Sequence, residues 1–226
     1  MKSMKLAALA VAVLSASSFS TVANAAVEAN IGATSNYLWR GVSQSNDGVS
    51  VSGGIDYSHE SGFYAGTWIG SIDFGDGSGT ENDYYLGYGG ESGDFGYDVG
   101  YIYYAYPADG FDDSNFGEIY FNGAYKAFGF GVAYTVNSQV DEGSLFDTGD
   151  MYYSVSYGFD LPEEYSLGLT YGYYDFDAGS DSDYGHFQLD LSKGDFTFSI
   201  SKADEEAAGS GKGDDTKFVV SWGTSF

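Results

Sequence analysis

Side chains alternate between apolar and polar with period two along most of this chain, and tight turns interrupt the alternation at a nearly constant interval. The last eleven residues show the pattern most cleanly. Phe218, Val220, Trp222 and Phe226 share one parity, and Lys217, Ser221, Gly223 and Ser225 share the other. Successive strand residues point to opposite faces, so such a segment has one greasy and one wet side. Sorted this way, the sequence predicts twelve strands. The first spans about Ala29–Arg40, with Ile31, Tyr37 and Trp39 outward, and the third has Tyr64, Trp68, Ile72 and Phe74 outward. The seventh is the clearest of the interior ones: Phe128, Phe130, Val132 and Tyr134 oppose Gly129, Gly131, Ala133 and Thr135.

Five connections are tight: His59–Gly62, Glu91–Asp94, Lys126–Phe128, Leu161–Glu164 and Ser192–Asp195. Their centres lie 31 to 35 residues apart, which is a repeating hairpin unit. The remaining connections are longer and polar. Short turns at one end alternating with long loops at the other is the pattern of bacterial outer-membrane barrels. The predicted fold is therefore an all-β, transmembrane, antiparallel up-and-down β-barrel of twelve strands, with both termini in the periplasm.

Aromatic sorting supports the same reading. Outward aromatics fall at strand ends: Tyr57, Tyr88, Tyr125, Phe128, Phe196 and Phe226 on the periplasmic side, and Trp39, Phe74, Tyr84, Tyr134, Tyr153 and Phe218 on the other. Val99, Ile119, Val155, Leu167 and Leu189 lie between them. Two aromatic girdles around an aliphatic band fit a bilayer, whereas the core of a soluble sandwich has no need of them.

Residues 1–25 read as a cleaved signal peptide, with Lys2 and Lys5, an apolar run from Leu6 to Leu14, and Ala23-Asn24-Ala25 as the cleavage site. The barrel then occupies 26–226. Six basic residues face 33 acidic ones in that part, a net charge of −27, which argues against nucleic acid as a partner. There is no cysteine, so the oxidising periplasm imposes no disulfide. The exported, alternating pattern places the chain in the Gram-negative outer membrane. Its expected partners are outer-membrane lipid, lipopolysaccharide and the barrel-assembly machinery. Phe218, Val220, Trp222 and the terminal Phe226 form the expected assembly signal.

The segment Ser35-Asn-Tyr-Leu-Trp-Arg-Gly-Val-Ser-Gln-Ser45 resembles the opening of the TorF-type porins, also described as the Gcw_chp family of proteobacterial outer-membrane proteins. Gly62-Phe-Tyr-Ala-Gly-Thr-Trp68 and the Tyr-Gly pairs are similar too. The resemblance covers the whole mature chain and implies an outer-membrane barrel and a pore. It brings no catalytic residues.

The inward face carries the residues of interest. Its expected lumen charges are Arg40, Asp56, Asp73, Glu81, Asp83, Asp98, Glu118, His186 and Asp190, which is seven carboxylates against one fixed positive charge. A ring of carboxylates gathers cations and repels anions. Arg40 is expected to pair with Asp56 by hairpin order. Tyr85, Tyr104, Tyr106, Tyr152, Tyr174 and Tyr184 have lumen parity at the outer mouth, where they can stack on solutes or simply steady the loops.

These features predict a channel for passive diffusion of small hydrophilic solutes, preferring cations. The alternative is a structural or adhesive barrel with a plugged lumen. Enzymatic activity is not expected. His186 and Asp190, four apart on one strand face, sit about 13 Å from each other at about 3.3 Å per residue, too far for a dyad. His59 lies in a turn. No cofactor is expected. The run Asp175–Asp183 lacks the order of a calcium loop and reads as a solvated acidic loop.

Overall fold

A computed structural model describes residues 25–75, 77–111, 113–177, 182–204 and 215–226. The expected signal peptide therefore lies outside the described residues, apart from Ala25. The wall is a closed antiparallel barrel of twelve strands: β1 (Ala26–Thr34), β4 (Ser50–Ser58), β5 (Phe63–Asp73), β6 (Ser78–Ser92), β7 (Phe95–Ala105), β8 (Phe116–Tyr125), β9 (Phe128–Ser138), β10 (Met151–Asp160), β11 (Ser166–Asp175), β12 (Tyr184–Lys193), β13 (Phe196–Ala203) and β14 (Lys217–Ser225). Each strand pairs with its sequence neighbours in the wall, and β1 pairs with β14 to close the ring. Two short strands, β2 (Leu38–Trp39) and β3 (Val42–Ser43), form a separate hairpin between β1 and β4. Among the described residues no helix is long and apolar enough to cross a membrane; this wall would cross with strands.

The five short turns fall where the sequence puts them, all at one end. Gly93 and Gly194 open two-residue turns with φ of 65° and 56°. A two-residue hairpin takes positive φ at its first central position, which glycine adopts without steric cost. Pro162–Glu164 makes a single 3-10 turn at the β10–β11 connection.

The exterior of the wall is apolar all round. Val27 is 71% exposed, Val155 56%, Phe187 67% and Phe218 65%. So much outward apolar surface would not stay dispersed in water; in a bilayer it is solvated by acyl chains. Tyr84, Tyr134 and Tyr153 stand outward near the long-loop end, and Tyr57, Tyr88, Tyr125 and Phe128 near the short-turn end; Phe74, expected among them, follows the end of β5 and packs on Tyr106 and Phe111 at 6.2 and 5.4 Å.

Two expectations for the wall fail. The first strand ends at Thr34 rather than near Arg40. Tyr37 and Trp39 are consequently not outward; Trp39 is buried inside the barrel. The parity of the third wall strand, β5, is also inverted. Its register against β4 and β6 sets Ala65 opposite Tyr57 and Leu86, so Phe63, Ala65, Thr67 and Ile69 face out while Tyr64, Trp68 and Ile72 face in. The greasier face of this one strand packs the lumen. Asp73 shares the outward parity. It closes β5 at the rim, where its carboxylate accepts the Gly75 N–H at 2.7 Å.

Candidate functional site

The connection between β1 and β4 does not stay outside the wall. It turns into the barrel as a hairpin, with Leu38 paired to Ser43 and Trp39 to Val42. Arg40 and Gly41 form its two-residue tip, with φ of 49° and 85°. Positive φ at both central residues is the type I′ requirement, and it matches the twist of flanking strands.

The base of the hairpin is tied by its own polar side chains. The Asn36 amide donates to Asp47 at 2.8 Å, and its oxygen accepts Ser43 Oγ at 2.7 Å. Ser45 Oγ accepts the Tyr37 N–H at 2.8 Å and donates to the Gly48 carbonyl at 2.7 Å. The base is also anchored to the wall: Lys217 Nζ on β14 lies 2.8 Å from Asp47, and the Asp73 N–H on β5 donates to the Gln44 carbonyl at 2.9 Å.

The tip then reaches across the lumen. Arg40 binds Glu118 on β8 through both terminal nitrogens, at 2.8 and 2.6 Å. Its guanidinium carbon sits 4.2 Å from the Trp39 ring centroid, 4.3 Å from Tyr152 and 5.1 Å from Tyr174. A planar fork on a carboxylate with aromatic faces beside it is the environment in which arginine differs most from lysine. Burial opposes the guanidinium's charge and Glu118 outweighs it, so Arg40 stays protonated, well above its ordinary range. Tyr37 donates to Glu81 on β6 at 2.5 Å and packs on Trp68 at 5.4 Å. Burial, reinforced by Glu81, holds this phenol protonated too. Trp39 meets Tyr104, Phe116, Phe146 and Tyr174 at 5.8 to 6.2 Å. On the far side Gly41 lies against His186 on β12, where a Cβ would stand 2.6 Å from the histidine Cβ.

The structure brings most of the predicted lumen charges inside, with partners the sequence does not reveal. Asp56 faces the lumen but does not pair with Arg40; it accepts Asn30 Nδ2 at 3.0 Å and the Tyr85 hydroxyl. The reason is depth. Arg40 rides on a hairpin near the long-loop end, level with Glu118, while Asp56 lies toward the short turns. Asp98 accepts Tyr64 OH at 2.6 Å, and Asp190 accepts Ser199 Oγ at 2.5 Å. Glu81 also accepts Tyr106 OH at 2.8 Å. Asp83 is buried, with one oxygen lacking a hydrogen bond among the described residues. His186 shares a 2.8 Å bond with Tyr152 OH and stacks on that ring, so it and Asp190 have separate partners. His59 sits in its turn beside Ser61, at 2.9 Å. Asp73, as described, is not a lumen charge.

The six predicted mouth tyrosines are all inward, but they are packing and hydrogen-bonding groups rather than free rings, five of them buried and Tyr106 half-buried. Tyr104 stacks on Phe116, and Tyr174 on Phe176 and Tyr184. Tyr85 reaches down the lumen to Asp56. Sequence reasoning missed Tyr37, Trp39, Tyr64, Trp68 and Tyr120 as interior groups. A signal for some of them was present. Tyr64, Tyr85 and Tyr120 lie over Gly87, Gly66 and Gly100 of neighbouring strands; a Cβ on Gly66 would stand 2.6 Å from the Tyr85 hydroxyl. An inward glycine beside an inward tyrosine is how so many rings fit inside one barrel.

The lumen thus has two zones. Toward the long loops its lining is buried: Glu81, Tyr104, Glu118, Thr135, Tyr152, Tyr184 and Ser201 are all under 9% exposed. Toward the short turns it stays half open, with Asn30, Ser52, Asp56, Asp98, Gly129, Gly131, Ser154 and Ser156 partly exposed. Among the described residues the interior is thus a vestibule, part-exposed toward the short turns and filled by the hairpin toward the long loops.

Of the acidic run 175–183, residues 178–181 lie outside the described residues. Asp183 at its end accepts the Phe176 N–H at 2.8 Å and Tyr173 OH at 3.1 Å. Nearby, Asp150 takes the Asp177 N–H on one oxygen at 2.8 Å, and its other oxygen is buried without a hydrogen bond among the described residues. Burial raises this carboxyl to about 6, against the pull of the N–H groups it accepts.

A closed wall of twelve strands, apolar outside and charged inside, defines a transmembrane β-barrel of porin-like architecture. The chain belongs to the Gcw_chp family, described as a bacterial protein of unknown function, which it matches over residues 19–218. Among solved structures it is similar to the KdgM porin at 9% identity and a TM-score of 0.54, over 88% of this chain and 98% of that one. It is similar to the same porin in complex with disordered oligogalacturonate at 8% identity and a TM-score of 0.52, over 89% and 98%. The NanC porin gives 12% identity and a TM-score of 0.51, over 89% and 99%. At these identities the likeness is one of fold. A search of curated proteins by sequence finds no match.

Proposed function

We propose that this protein is an outer-membrane channel for small hydrophilic solutes, preferring cations, and that its 35–49 hairpin holds the outward half shut in the conformation described. The observation that carries the reading is the half-open vestibule. Asp56, Asp98 and other polar groups line a passage that runs from the short turns up to the hairpin, where a purely structural barrel could fill the space with apolar side chains. The short turns and both termini face the periplasm in this reading.

The ligand of the KdgM complex does not carry over by charge. Oligogalacturonate is a polyanion, whereas six of the predicted carboxylates face this lumen, and Glu28 opposite Asp56 adds another, while Arg40 is already neutralised by Glu118. Field lines focused in a narrow channel act on a permeating ion together. Cations are therefore favoured, less so as salt shortens the Debye length.

A second reading, a closed barrel with a structural or adhesive role, is favoured by one observation: the hairpin tip is as buried as a protein core. Planar-bilayer recording of wild type beside a chain with Leu38–Val42 replaced by three glycines separates the two. The channel reading expects rare or small steps from wild type and large stable steps from the variant. It also expects a cation-side reversal potential that moves toward zero when Asp56, Asp98 and Glu118 become amides. Silence from a folded variant would establish the closed barrel instead.

A further inference from the structure

The environment of Arg40 has the composition of a ligand site. Glu118 offers two oxygens in a fork, and the Tyr152 and Tyr174 rings flank the guanidinium. These three groups stand on β8, β10 and β11 of the wall, so they stay in place whether or not the hairpin tip does. The occupant does not belong to the wall. It sits on a two-residue tip, in a left-handed backbone conformation that arginine adopts only when held there. Its Nε makes no hydrogen bond, and the Tyr174 hydroxyl is buried without a partner among the described residues. The pocket therefore keeps hydrogen-bonding capacity that its present occupant leaves unused. Below it the vestibule presents Asp56 and Asp98, which would draw a cation toward the cage from the short-turn side.

We propose that Glu118, Tyr152 and Tyr174 form a binding site for guanidinium-bearing solutes, and that Arg40 occupies it in the closed conformation as a tethered copy of that ligand. The proposal rests on the channel reading for its place on a permeation path, but the binding itself does not. Guanidinium is selected over ammonium because only the planar fork meets both Glu118 oxygens at once. A tethered arginine acts at an effective concentration in the millimolar range, so a free solute must compete with it to open the path.

The test removes the tether. Arg40→Ala is prepared in a Trp68→Phe/Trp222→Phe background, which leaves Trp39 as the single tryptophan, and methylguanidinium is titrated against its emission and against the thermal midpoint of the folded chain. Arg40→Gln serves the same titration if the alanine chain does not refold. Expected are a saturable response to methylguanidinium and a much weaker one to methylammonium at equal ionic strength. Affinity should fall about thirtyfold or more in Arg40→Ala/Glu118→Gln, as for loss of a buried charge partner. The Arg40-containing chain should respond only at much higher concentration. No saturable response, or an equal one with and without the Glu118 carboxylate, overturns the site. Bilayer recordings of the same variants keep the two readings apart. Binding without conductance would refute the channel and leave the site; conductance without binding or block would do the reverse.

Discussion

Glu118→Gln is the smallest change that should unlatch the hairpin. The side chain keeps its shape and one acceptor, but the charge opposite Arg40 is gone. Both partners are almost fully buried, with side-chain exposures of 3% and 2%. Breaking one half of such a pair costs about 3–5 kcal/mol, because the other charge is left desolvated. Here the charge has an exit: Arg40 sits on a hairpin beside a hydrated vestibule, so withdrawal of the tip caps the cost near the lower figure. A shift of about 3 kcal/mol changes the closed-to-open ratio by roughly a hundredfold. Single-channel recording at fixed voltage reads this as open-state occupancy. The folded state should persist, since the wall ladders do not involve the Glu118 side chain, and heat-modifiability on gels reports that. Glu81→Gln is the comparison. The amide oxygen can still accept one of Tyr37 and Tyr106, the amide N–H can donate to the other hydroxyl, and no buried cation is stranded, so occupancy should change far less. A folded Glu118→Gln channel with wild-type occupancy would refute the latch.

Other outcomes follow from the wall and loops. Val132→Arg puts a charge on the lipid face of β9 and should cost about 2–4 kcal/mol near the midplane, while Gly131→Arg points into the vestibule and should lower conductance with a smaller loss of stability; equal losses in urea titrations would contradict the parity of β9. Asp150 bears on pH. Its folded value of about 6 lies above its unfolded one, so its contribution is present at pH 4 and lost as pH rises through 6. Asp150→Asn should accordingly raise the thermal midpoint at pH 8 and leave it unchanged at pH 4; an equal gain at both would show that ionisation is not the cause. Deleting Phe226, whose backbone exchanges two hydrogen bonds with Ala29 at 3.0 and 2.9 Å, should lower outer-membrane yield while export continues, which cell fractionation measures.

The wall was legible because lipid enforces it. Along β9, β11 and β14 the outward residues are apolar except near strand ends, as at Asp175 and Thr224, and period two reports that directly. The same logic misread two places. Trp39 has the parity and size of a girdle residue, and nothing in alternation distinguishes a ring facing lipid from a ring facing a packed lumen. The punctuation was there all the same: Gly41 after Arg40, and Ser43, Ser45, Asn46, Asp47 and Gly48 just beyond, are turn and side-chain-capping residues rather than strand. In β5 the inward face is the greasier one, because Tyr64 covers Gly87 and Trp68 packs on Tyr37, and a rule that sends grease to lipid inverts it. The Arg40–Glu118 pair was beyond reach for a different reason. Its members are 78 residues apart and meet across the lumen, where neither periodicity nor hairpin order says anything. The segment that carries the family resemblance, 35–45, is the one that leaves the wall.

The strand that closes the ring is also the most lightly held. β14 is paired over five residues with β1 and six with β13, against ten or eleven for neighbours such as β6 and β7. The hairpin base lies directly over this junction: Ser35 exchanges bonds with Val220 at 2.9 and 3.0 Å, and Asp47 holds Lys217. It is a clasp as well as a stopper. The fingers of the clasp, Tyr37 to Val42, touch strands from both halves of the ring, so they can find their seats only after the two ends of the chain have met. A docked hairpin is then a sign that closure is complete. A channel that opens by withdrawing the fingers while the base keeps its grip on β14 would pass solute without loosening its own zip.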